Sequence, residues 1–264
     1  FDVALDPMSG QEGSWACVAC TFVHTNPEIA RCVVCNTPRD YAKNHARIVK
    51  ERTREFEDKF GKEIMGLFIP YPDMKGCNSG ETAASQILPS LWLSGSHRTR
   101  DLKWLKENKI AAILNCAGND VKTAKEDVLT AVGVASVKSL PLDDTSQMKD
   151  KLKAYLKDAH GFIHQQSQSG KTVLVNCAAG VSRSSTVVIS YLIKHHSMSL
   201  KDAIALVRSK RKFVYPNLGF WEVLLQFEKQ VSQQHTRNIT YPNDAYAHTK
   251  YTHKHTHTLI DYYK

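Results

Sequence analysis

The 264 residues contain no apolar run long enough to cross a bilayer and no stretch patterned like a secretory leader. The first absence excludes a helical membrane protein, and the second gives no reason to expect an oxidising compartment. A reducing one, the cytoplasm or the nucleus, is the expectation. Acid is in short supply too: 26 Asp and Glu face 35 Lys and Arg, leaving a formal charge of +9. That balance suits partners that carry negative charge, although a merely solvated basic surface has the same composition. Seven cysteines are present, and no disulfide is needed to explain any of them. The chain opens on Phe1 rather than methionine, as a fragment or an imperfect gene model would. What remains, with 42% hydrophobic residues, has room for one full domain and one small module.

The most informative stretch runs from Thr172 to Ser185. Thr172 to Val175 are β-branched or aliphatic and follow Ser169 and Gly170, so they predict a buried strand. Val187, Val188, Tyr191 and Leu192 have helical spacing, so a helix follows from about Ser184. Cys177 therefore falls between a strand end and a helix start. There, successive backbone N–H groups can converge on one anion, and the helix N-terminus adds about half a positive charge. The same field favours thiolate over thiol, which makes Cys177 a candidate nucleophile. Six residues on, Arg183 offers a planar fork of donors to two phosphoryl oxygens. Gly180 lets the loop turn tightly. The plain alternative is a buried structural cysteine at a strand end.

The pattern Cys-x5-Arg, set in Ala178, Ala179, Gly180, Val181, Ser182, Arg183 and Ser184, resembles the dual-specificity branch of the cysteine-dependent protein phosphatases. The similarity extends from about Gln86 to Val231. Leu91 to Ser96 is similar to that family's first strand and turn, Ile110 to Ala117 to its second strand, and Tyr215 to Phe220 to the opening of its last helix. One departure stands out: the family's histidine before the nucleophile is replaced by Asn176, an uncharged amide that supports a thiolate less well.

The resemblance also implies roles. Asp144, beside Asp143 in the segment Ser139 to Ser146, takes the place of the mobile general acid. Ser184 takes that of the hydroxyl that steadies the departing thiolate. Arg183 and residues 178–183 form the phosphate-binding loop, and no metal takes part in the chemistry. Free carboxyl groups titrate near pH 4, so a step that needs one protonated should speed up towards mildly acidic pH. Lys210, Arg211 and Lys212 are further candidates to flank the substrate's phosphate. The implied substrates are phosphorylated proteins. A non-protein phosphate ester and a catalytically weak phosphoprotein reader are the alternatives.

Near the N-terminus, Cys17 and Cys20, then Cys32 and Cys35, form two Cys-x2-Cys knuckles eleven residues apart. Four thiolates at that spacing can close a tetrahedral structural Zn2+ site, and a module of about 30 residues needs such a metal to fold. The segment resembles the Ran-binding-protein-2 type zinc finger. By that resemblance Thr21, Phe22 and Val34 are ubiquitin contacts; single-stranded RNA is the less favoured ligand, since the loop offers only Arg31.

The expected layout follows: a flexible N-terminus over 1–11, the finger over 12–40, a charged linker made helical by the periodic Ile48, Phe56 and Phe60 and then an irregular connector over 41–83, the catalytic domain over 84–232, and a disordered His-rich tail over 233–264. The basic cluster Arg47 to Arg54 is a candidate docking element for a protein kinase, or simply a solvated helix face. The His248 to His257 run belongs to the tail. The catalytic domain is expected to be α/β, a central mixed sheet flanked by helices and preceded by the small zinc-ribbon-like finger. Strands are predicted near 87–93, 110–117, 135–142 and 171–176. Helices are predicted near 98–108, 148–167, 184–196, 200–209 and 218–231. A monomer with no membrane insertion is expected.

Overall fold

In the computed structural model, residues 15–16, 23–24, 41–67, 84–118 and 121–238 are described. Strands β1 (Trp15–Ala16) and β2 (Val23–His24) pair antiparallel. Cys17, Cys20, Cys32, Cys35, Thr21, Phe22 and Val34 lie outside the described residues, as do Cys77 and the His248 to His257 run.

The larger sheet holds β3 (Ser85–Leu88), β4 (Leu91–Ser94), β5 (Ile110–Asn115), β6 (Ser136–Ser139) and β7 (Thr172–Asn176). Their order is β3-β4-β7-β5-β6. Only the β3–β4 pair is antiparallel, so the sheet is mixed. Alternation along each strand sends side chains to two separate apolar layers. Leu91, Leu93, Val173 and Val175 enter the larger core, whereas Trp92 and Leu174 face the smaller one. In β5 the alternation slips, with Ile110 and Ile113 on the same side, because the register shifts between Ile110 and Ala112.

Helices α4 (Lys149–Gln168), α5 (Arg183–His195), α6 (Leu200–Lys210) and α7 (Leu218–Asn238) contribute to the larger core. The smaller is closed by α2 (Leu102–Glu107) and α3 (Glu126–Ala131), through Leu105 and Leu129. The helix predicted after Gln147 buries Leu152, Leu156, Ala159 and Ile163 on one face. In α5 every residue from Arg183 to Ile193 is buried, as befits the helix that leaves the centre of the sheet.

Four expectations need correction. The single strand expected over 87–93 is two, because Pro89 and Ser90 turn the chain back on itself. The helix expected over 98–108 is a 3₁₀ segment (Ser96–Arg100) followed by α2, which restarts at Asp101, where the side chain accepts from the Trp104 N–H at 3.0 Å. Helix α3 was not anticipated. Helix α7 continues to Asn238, past both its expected end at Val231 and the expected start of the tail.

The charged linker is a helix, α1 (Tyr41–Phe60), followed by a 3₁₀ segment (Lys62–Leu67). Its apolar spacing has a partner: Phe56 is 1% exposed and packs edge-on against Trp221 of α7, ring centroids 5.2 Å apart. Its basic cluster is largely neutralised by its own acids, with Arg47–Glu51 at 3.0 Å, Arg52–Glu55 at 2.7 Å and Arg54–Asp58 at 3.5 Å. That is the pattern of a solvated helix face. No described helix is long and apolar enough to span a membrane.

Candidate active site

Cys177 stands one residue beyond β7 and is 1% exposed. Two groups donate to its sulfur, the Gly180 N–H at 3.2 Å and the Ser184 hydroxyl at 3.1 Å. Both bonds bring a donor hydrogen onto the sulfur. Residues 178–182 then curl to the first residue of α5, Arg183.

How the loop is held explains what it can bind. Its carbonyls are taken from outside, one after another. The Ser96 N–H donates to Ala178 O at 2.9 Å; the Arg211 guanidinium donates to Ala179 O at 2.9 Å and to Gly180 O at 2.7 Å. The Tyr215 N–H reaches Val181 O at 2.9 Å, and the Ser185 and Thr186 hydroxyls each reach Ser182 O at 2.8 Å. In a trans peptide the N–H points away from its own carbonyl, so a loop with every C=O drawn outwards turns its N–H groups inwards. The Gly180 donation to sulfur shows that direction. Gly180 itself is required: at φ +68° with the Ser94 carbonyl where its Cβ would stand, no side chain fits.

Arg183 is 6% exposed; one terminal N–H donates to Leu142 O at 2.9 Å, while its Nε lies 3.9 Å from Asp144 Oδ2. The backbone before Asp143 thus steers the fork. Asp144 is fastened across the loop: its Oδ1 accepts from the Ser182 hydroxyl at 2.6 Å and from the Asn217 amide at 2.9 Å. The structure therefore brings Cys177, Arg183, Ser184 and Asp144 together, although the last lies 33 residues before the nucleophile in sequence.

Asn176 is buried, with Nδ2 3.5 Å from Asn115 Oδ1, and its own Oδ1 has no hydrogen-bond partner among the described residues. Asn115 shapes the neighbouring strand end, donating to Gly118 O and Val121 O at 2.9 Å. Beside it, burial pushes the Cys116 thiol well up, and proximity to Cys177 pushes the same way. Cys116 is thereby kept a neutral thiol.

Two residues were misjudged or missed. Arg211, expected to flank a substrate, is 3% exposed, with its guanidinium committed to two carbonyls of the loop. Lys212 lies over the ring of Phe213, 5.1 Å from its centroid. Asn217 was passed over as a helix-start residue, yet it ties Asp144 through its amide and Ser182 through its own N–H, at 3.1 Å.

With this geometry, comparison with known proteins is direct. The family model described as Dual specificity phosphatase, catalytic domain, matches residues 91–230. The chain belongs to the dual-specificity phosphatase family. It is 34% identical over 146 residues to Dual specificity protein phosphatase 2 of Mus musculus, covering 55% of this chain and 43% of that protein. It is 32% identical over 171 residues to Dual specificity protein phosphatase 18 of Rattus norvegicus, covering 65% of this chain and 76% of that one. The chain thus spans under half the length of the first relative and about three quarters of the second. Among solved structures, that of DUSP15 superposes with a TM-score of 0.51 at 26% identity, over 60% of this chain and 94% of the other. The dual-specificity phosphatase fold, its mixed sheet and flanking helices, is thereby shown, and every loop contact described above falls at or within the matched span.

Proposed function

We propose that this chain hydrolyses phosphotyrosine and phosphoserine or phosphothreonine in proteins through a phosphocysteine intermediate. The observation that carries the reading is the convergence on one sulfur of the Gly180 N–H and the Ser184 hydroxyl, inside a loop whose carbonyls all face away. Cys177 attacks phosphorus in line, forming the S–P bond as the P–O bond to the leaving group breaks. Arg183 and the loop N–H groups hold the equatorial oxygens. Asp144 gives its proton to the leaving oxygen; the resulting carboxylate takes one from water, which attacks the phosphocysteine. The S–P pair returns to sulfur, where the Ser184 hydroxyl donates to it.

The N-terminal segment supplies a second part. Its donor set, Cys17, Cys20, Cys32 and Cys35, fits Zn2+, which would act as a structural cross-link and take no part in the chemistry. Thr21, Phe22 and Val34 are proposed as ubiquitin contacts that bring the enzyme to modified targets. A reducing compartment, cytoplasm or nucleus, suits the free Cys177.

The test is phosphate release from matched phosphotyrosine and phosphothreonine peptides at pH 6, with Cys177→Ser as control. Turnover of both, abolished in the variant, supports the reading. No release from either peptide moves the assignment to a non-protein ester or a phosphate reader.

A further inference from the structure

We infer that helix α1 is a positioning element for the segment that carries Asp144, acting through a clip in which Lys59 and Lys149 share the carboxylate of Glu222. The inference rests on the general-acid role proposed above for Asp144. Helix α1 lies before the span matched by the family model, whereas Lys149 and Glu222 lie within it.

The start of α7 already serves as a jig for that segment. Asn217 donates to Asp144 at 2.9 Å. The Gly219 N–H donates to the Ser146 hydroxyl at 3.3 Å, and the two backbones are so close that a Cβ on Gly219 would stand 2.6 Å from Ser146 Cα. Glu222 Oε1 accepts from Lys149 Nζ at 2.8 Å. Residues 144, 146 and 149 are thus held in order by residues 217, 219 and 222. The last hold fixes where the acid segment ends and α4 begins.

Helix α1 grips this jig from the other side. Lys59 Nζ lies 3.2 Å from Glu222 Oε2, so each carboxylate oxygen has its own ammonium. The adjacent residue, Trp221, makes the T-shaped contact with Phe56, whose ring centroid in turn lies 4.8 Å from that of Phe60. An exposed ion pair alone is worth little. Here the apolar anchor has already brought the helices together, so the pair sets direction. The side chains of Lys59 and Glu222 are 35% and 25% exposed, which leaves the clip only partly screened. Donation from Lys149, and secondarily from Lys59, holds the Glu222 carboxyl below its ordinary value against an opposing effect of burial. The clip therefore survives in mild acid and is lost only as pH falls through that lowered value.

A positioning role makes a prediction that simple stabilisation does not. Expelling an alkoxide from phosphothreonine needs the proton of Asp144; expelling 4-nitrophenolate needs little help. In the 264-residue chain, Lys59→Met is expected to slow the first turnover of a phosphothreonine peptide, read by rapid quench as phosphocysteine formation, about fivefold and Lys59→Glu about tenfold, with the first turnover of 4-nitrophenyl phosphate within about twofold of wild type; later turnovers, in which Asp144 activates water for either substrate, are left out of the comparison. Lys59→Arg should restore the peptide rate. Hydrogen exchange provides a readout independent of turnover: amides of residues 143–148 should exchange faster in Lys59→Met and normally in Lys59→Arg. Faster exchange with selective loss of the peptide reaction supports the inference. Equal loss on both substrates, or unchanged exchange, overturns it. Absence of turnover by the wild type would instead defeat the proposed function, and exchange would still decide whether α1 holds the segment.

Discussion

The two ends of α5 treat buried polarity in opposite ways. At its N-terminus Ser182, Arg183, Ser184, Ser185 and Thr186 are all buried, and each has partners that fix its direction. Toward its C-terminus the His195 ring lies stacked between those of Tyr191 and His164, and its Nε2 is buried with no hydrogen-bond partner among the described residues. His160 of α4 meets the same helix: its Nε2 pairs with Ser190 Oγ at 2.9 Å, its Nδ1 has no hydrogen-bond partner among the described residues, and its ring packs against those of Phe227 and Tyr191. Burial pushes the His160 ring down to about 3, helped by Lys194 and His195. Burial pushes His195 down to about 4, helped by His164, Lys194 and His196. One end is built to receive charge and the other to refuse it. The lesson is that a buried polar group becomes a site when donors converge on it and a pH liability when they do not.

The sharpest way to break this contrast is at the charged end. Arg183→Lys keeps the charge but loses the fork, and kcat for the phosphotyrosine peptide should fall about 10³-fold, close to 4 kcal/mol. A loss under tenfold would mean that the loop N–H groups hold the phosphate without it.

At the neutral end the expected effect is smaller. Both histidines titrate lower when folded, so their contribution to stability is complete above the unfolded value of 6.5 and is lost as pH falls from there towards 4 and below. For His160 alone this amounts to about 2 kcal/mol between pH 7.5 and pH 5, a melting shift of roughly 4 to 8 °C. His160→Phe should flatten that part of the thermal-melt pH profile; an unaltered slope would show that the ring is not buried neutral. With both rings buried neutral, the enzyme is expected to be caught between a reaction favoured by acid and a fold weakened by it.

Ser184→Ala tests the hydroxyl donated to sulfur. The first turnover should be nearly normal and later ones about tenfold slower, so rapid-quench traces should show a burst with accumulated phosphocysteine. Slowing of the burst itself would assign Ser184 to the attack instead.

The charged end was legible in the sequence because its information is local. Strand, nucleophile, Gly180, Arg183 and Ser184 fall within a few residues of each other, and pattern alone places them between β7 and α5. Asp144 was reachable only through resemblance, since an aspartate pair beside Pro141 also fits an ordinary loop. Arg211 was misread because a cation near a phosphate loop suggests substrate. Only the fold shows its guanidinium turned to the carbonyls of Ala179 and Gly180. The periodic Ile48, Phe56 and Phe60 announced a helix, but nothing local named Trp221 as the partner of Phe56. The turn at Pro89 and Ser90 was hidden because apolar residues flank it closely on both sides, and α3 was too short to carry a period. The N-terminal strands are two residues each, below what any pattern resolves.

The outward pull on the loop carbonyls ties the site to the order of synthesis. Ser96 emerges from the ribosome before Cys177, but Arg211 and Tyr215 follow it, and Asn217 later still. A nascent chain that already displays Cys177 and Arg183 has no anchor yet for the carbonyls of Ala179, Gly180 and Val181. The pocket around Cys177 closes only when the chain has passed Asn217, so turnover appears as a late sign of a completed domain.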